Sequence, residues 1–134
     1  MGLIEWNENF LTGIPEIDIQ HKKIFKYLNN LYEYNKINLE DKDKIQKIQT
    51  FLESIEKHFE FEESLIDKYN LENGEDHKRE HAFFREKIKE IFEQYGSSPY
   101  ALTFEFCKFV KDFYSSHIIY YDKILAKKIQ NENL

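Results

Sequence analysis

A chain of 134 residues with 19 Lys and Arg against 25 Asp and Glu carries a formal charge of −6. That length suits one domain around a single buried core, and the acidic balance excludes a nucleic-acid surface, which needs clustered cations opposite phosphate. Only 4 Gly and 2 Pro leave little material for the tight turns of an all-β fold. The 12 Phe and 9 Tyr instead predict an aromatic interior. The longest apolar run, Ile118 to Tyr121, falls far short of the roughly 20 residues that cross a bilayer, and nothing reads as a secretory leader. A soluble, cytoplasmic protein is expected, with no membrane span. Its lone Cys107 allows no internal disulfide.

An arm of about 16 residues comes first, holding Trp6, Phe10, Gly13 and Pro15 without sustained periodicity. Asp18 is placed to cap a first helix running to about Tyr34, with Ile17, Ile24, Phe25, Leu28, Leu31 and Tyr32 at three- and four-residue steps. A second helix is predicted from between Leu39 and Asp41 to Tyr69, its inward stripe including Ile45, Ile48, Leu52, Ile55, Phe59 and Leu65. Asn70 to Gly74 signals a turn. The third helix then reaches Tyr95 with Phe84, Ile88, Ile91 and Phe92 inward, and Gly96 stops it. Ser98-Pro99 reads as a capping hydroxyl followed by proline at the first helical position. The fourth helix carries Leu102, Phe106, Phe109, Val110 and Phe113, and ends or re-forms between His117 and Asp122. Lys127 to Leu134 reads as a fraying polar end. Four amphipathic helices with short connections predict an all-α fold, an antiparallel up-down-up-down four-helix bundle with an N-terminal arm, in one domain over residues 1–134.

The histidines fall on the apolar stripes. His21 lies four residues after Ile17 and four before Phe25. His58 lies between Ile55 and Phe59, with Glu62 one turn on. Residues four apart differ by only about 40° around a helix, so such pairs point together. His77 and His81 are also four apart, and His117 follows Phe113 by four. Any one of these reads as an ordinary hydrogen-bonded core histidine, and His117 with Asp122 is weak alone, because five residues span about 140° on a regular helix. Jointly they put all 5 histidines on inward faces of all four helices, two with carboxylates beside them. Unpaired imidazoles and carboxylates in an apolar interior cost several kcal/mol each, on the order of 3–5. A buried metal centre satisfies them at once.

With no thiolate available, the usual structural zinc arrangements drop out. Five imidazoles and two carboxylates are too many for one ion. If Glu62 and Asp122 each bridge two octahedral ions and one oxo or hydroxo group joins them, a single coordination position stays open. One vacancy suits binding of a small ligand.

At these residues the chain resembles the hemerythrin family, specifically its single-domain bacterial members, over essentially its whole length. The matching segments are Gly13-Ile14 with Ile17-Asp18 and Gln20-His21, His58-Phe59 with Glu62-Glu63, His77 with His81 and Phe84, and His117-Ile118 with Asp122. The resemblance implies two iron ions, His77, His81 and His117 holding one, His21 and His58 the other, with Glu62 and Asp122 bridging. It further implies reversible binding of dioxygen as carrier, store or local supply, by a monomer, with Tyr114 and Ile118 at the dioxygen pocket. Two positions depart from the family pattern. Ile66 stands where Met is common. Tyr114 stands where an apolar Leu is expected, so its hydroxyl either meets the bound ligand, admits water, or reaches the surface.

Other classes are compatible with an iron pair. A di-iron enzyme reducing peroxide or nitric oxide is the runner-up, although no His here has the Glu three residues earlier that marks carboxylate-type oxidases. A sensor would need an output domain, for which 134 residues leave no room. A stand-alone partner surface, at Tyr120-Tyr121 or the C-terminal segment, is the remaining option.

Overall fold

The computed structural model describes residues 2–37 and 41–132. Its helices are α1 (Pro15–Lys36), α2 (Asp41–Tyr69), α3 (Gly74–Tyr95), α4 (Pro99–His117) and α5 (Lys123–Glu132), with a π-helical turn, Ile118–Asp122, between the last two. No strand occurs among the described residues. α1 and α3 each pack on both α2 and α4, and α2 meets α4 across the bundle, so the predicted four-helix arrangement stands.

The aromatic stripes close one large apolar cluster at the end of the bundle holding Leu28, Ile48, Phe51, Leu102 and Phe106. A smaller cluster of Ile17, Ile66, Leu125 and Ile129 closes the other end. The arm is bound to the first cluster by Trp6, Phe10 and Phe25, whose rings lie 5.2–5.7 Å apart. Asn29 adds a reciprocal pair of hydrogen bonds with the Ile4 backbone.

Several helix ends differ from expectation. α1 begins at Pro15, three residues before Asp18, because proline's fixed φ suits the first helical position. Asp18 is therefore inside the helix, and its carboxylate accepts from Thr12 N, Thr12 Oγ1 and Gly13 N, tying the arm down. Gly13 has φ 91°, a left-handed conformation that suits glycine there. The predicted start of α2 falls partly on residues 38–40, outside the described residues. Asn70, at φ 47°, turns the chain out of α2. Gly74 opens α3 against Ile66, where an added Cβ would collide with that side chain. Pro99 starts α4 as expected, but the Ser98 side chain makes no capping hydrogen bond. Gly96 ends α3 in a right-handed conformation, not the left-handed one that favours glycine. The polar C-terminal segment is helical as far as Glu132, because Leu125 and Ile129 are buried with Ile17 and Ile66; residues 133 and 134 lie outside the described residues.

Candidate metal centre

Between the two apolar clusters lie all seven donors foreseen from the sequence: His21, His58, Glu62, His77, His81, His117 and Asp122, all buried. The helices bring them together as the four-residue spacings require, except at the fourth helix. There the π turn makes the difference. Lys123 N–H donates to the carbonyl of Ile118, five residues back, so a five-residue step returns to nearly the same face. Asp122 Oδ1 thus comes within 3.1 Å of His117 Nε2.

The donor atoms form two groups that share both carboxylates. Glu62 Oε1 lies 3.1 Å from His81 Nε2 and 3.4 Å from His77 Nε2. Asp122 Oδ1 lies 3.0 Å from His77 Nε2 and 3.1 Å from His117 Nε2. The other oxygens turn the opposite way: Glu62 Oε2 is 3.1 Å from His58 Nε2, and Asp122 Oδ2 is 2.9 Å from His21 Nε2. Each carboxylate gives one oxygen to each group.

Adjacent ligands on an octahedral ion with bonds of about 2.1 Å sit about 3.0 Å apart, close to these separations. Hydrogen bonding alone does not satisfy the cluster. His77 Nε2, Glu62 Oε2 and both oxygens of Asp122 have neighbours at that distance but no hydrogen-bond partner. Nitrogen and oxygen donors in this arrangement fit two cations of the octahedral kind. Cys107 stands apart in the apolar cluster, its thiol pushed up to about 12 by burial, and offers no thiolate.

Charge in the metal-free site is balanced by protons. Burial would depress the imidazoles of His21 and His117, yet the Asp122 and Glu62 carboxylates overcome it and raise each to about 9. His77 is raised by the same pair. Burial, and for Asp122 the like charge of Glu62, opposes ionisation of the carboxylates. The surrounding histidines nevertheless hold both well below the usual carboxylate range. A cation entering here displaces those protons, so uptake releases acid.

The outer nitrogens fix some of the rings. His81 Nδ1–H donates to Glu63 Oε2 at 2.8 Å, and Arg85 holds that carboxylate at 3.1 Å. Arg85 is itself anchored on Glu56 through Nε at 3.0 Å and a terminal nitrogen at 2.8 Å. His58 Nδ1–H donates to Gln20 Oε1 at 2.6 Å. Both bonds leave Nε2 unprotonated toward the centre in the neutral ring. Sequence reasoning misses this role for Gln20 and Glu63. Each adjoins a donor (His21 and Glu62), but adjacency on a helix does not say which ring is met from another helix.

Aromatic rings wall the centre. Phe59 stacks on His81 at 3.9 Å, Phe113 on His117 at 4.7 Å, and Tyr121 on His117 at 5.4 Å. Tyr114 and Ile118 are both fully buried, so the Tyr114 hydroxyl does not reach the surface. Its ring lies 6.2 Å from that of His21 and 6.3 Å from that of His58. Burial, with the charges of Glu62, Asp122 and Glu56, pushes the phenol well above its ordinary range. Two clefts reach the donors from outside: one of about 240 Å³ at His58, flanked by Lys23 and Lys57, and a smaller one of about 100 Å³ at His77. A cleft of about 670 Å³ between α1 and α2, near Tyr34 and Phe51, touches no donor.

Relatives of the chain are found among known proteins. The family described as hemerythrin HHE cation binding domain matches residues 12–129. A bacteriohemerythrin of Clostridium acetobutylicum is 33% identical over 88% of this chain and 95% of its own length. One from Pseudomonas aeruginosa is 29% identical over 67% of this chain, and the match spans only 58% of that relative. Hemerythrin subunit alpha of Lingula reevii is 32% identical over 62% of this chain and 64% of its own length. A crystal structure of a hemerythrin point mutant superposes with a TM-score of 0.84 at 22% identity, covering 96% of this chain and 98% of that one, a likeness of fold. The family match over nearly the whole bundle and the clostridial relative agree with the buried donor set: the chain belongs to the hemerythrin family.

Proposed function

We propose that the chain binds dioxygen reversibly at a pair of iron ions. His77, His81 and His117 would hold one ion, His21 and His58 the other, with Glu62 and Asp122 bridging. The observation that carries this reading is the split of both carboxylates, one oxygen toward each histidine group. With more donors at the three-histidine end than at the other, a small ligand would be taken up at the two-histidine end. An iron pair supplies two electrons to dioxygen and recovers them on release. The chain's own part is to hold the donors and to cover the centre with the buried side chains of Phe59, Phe113, Tyr114 and Ile118. Such walls favour reversible binding over turnover.

Anaerobic loading with ferrous salt, iron analysis and an optical spectrum before and after air test the proposal. Two irons per chain are expected, with a visible band that forms in air and disappears under argon without added reductant. Steady consumption of reductant with dioxygen, peroxide or nitric oxide would establish an enzyme instead.

A further inference from the structure

The Tyr114 hydroxyl is fully buried and has no hydrogen-bond partner. Around its ring are the rings of Phe59, Phe84 and Phe113, none of which accepts a conventional hydrogen bond, and the imidazoles of His21, His58 and His117. Phenylalanine would fill almost the same space without burying a donor. An unpaired hydroxyl in such a place is a liability for the metal-free chain. It ceases to be one when an acceptor is held within reach of that oxygen at the His21–His58 end, whose rings lie 6.2 and 6.3 Å from its own.

We propose that Tyr114 is a specificity-determining residue of the centre, its O–H donating a hydrogen bond to a small ligand held at the His21–His58 end. The assignment rests on the metal reading above. Hydrogen bonds to charged acceptors are about twice as strong as neutral ones. Tyr114 therefore favours ligands that carry negative charge when bound, such as small linear anions, over neutral ligands with weak lone pairs. The hydroxyl acts on the ligand, while the seven donors hold the metal.

The test compares wild type with Tyr114→Phe in two states. In the metal-free state, the variant is expected to melt no lower than wild type, since it loses only an unpaired group. After iron loading and oxidation, equal iron content is expected, with an azide dissociation constant, titrated optically, about tenfold higher in the variant. Equal azide affinity at equal iron content overturns the proposal and leaves the di-iron reading intact. A lower melting temperature of the metal-free variant, or a loss of iron from it, also overturns it, because the hydroxyl would then serve the protein or a donor. A wild-type chain that takes up no iron overturns the di-iron reading, and this assignment with it.

Discussion

The two ends of the centre are built differently. At the three-histidine end, His81 is backed by a carboxylate, that carboxylate by Arg85, and Arg85 by Glu56, a charged chain running outward from the metal position. Stacked rings fix His81 and His117 from the side. At the two-histidine end, His58 is backed by the neutral amide of Gln20. One outer nitrogen is without a partner at each end, His21 Nδ1 and His117 Nδ1, and the Tyr114 hydroxyl is unpaired as well. A carboxylate behind an imidazole makes it a stronger donor than an amide does. The three-histidine end thus has the more highly charged outer support, at His81.

Substitutions at the shared and unshared donors break this contrast most sharply. Glu62→Ala removes an oxygen from both groups, and near-complete loss of metal is expected by elemental analysis. His58→Ala touches one end only, so about one ion per chain should remain, bound at the three-histidine end; loss of both would show that the ends do not hold metal independently. The outer partners come next. Glu63→Gln is expected to weaken metal binding by about 10–100-fold in a chelator competition. Gln20→Ala should cost less, because it removes a neutral partner, and the reverse order would refute the ranking of the two ends.

The smallest effect concerns protons, in which the two ends are alike. In the metal-free chain His21 and His117 titrate near 9 instead of 6.5. Folding binds these protons, so their contribution is complete below about pH 6.5 and disappears as pH rises through 9. The melting temperature of chelator-treated protein should be lower at pH 9.5 than at pH 6.5. No decline over that interval would mean that the carboxylates do not hold the imidazoles charged.

Much of this is legible in the sequence for a geometric reason. His58 with Glu62 and His77 with His81 sit four apart on regular helices, where spacing determines direction. His117 and Asp122 are not legible on that basis, because their alignment needs a π turn, which periodicity does not encode. Asp18 looks like a cap in the sequence, but its carboxylate finds donors in the arm rather than at a helix start. The polar look of Lys127 to Leu134 conceals Ile129, one apolar residue per turn being enough to dock a terminal helix. Gln20 and Glu63 reach rings on other helices, so their partners depend on packing between helices and not on local order.

Anomalous diffraction at the iron edge from crystals of the loaded protein reads the bridging directly. Two peaks about 3.5–4 Å apart are expected, each within bonding distance of one oxygen of Glu62 and one of Asp122. A single peak, or two peaks that share neither carboxylate, would contradict the bridged pair.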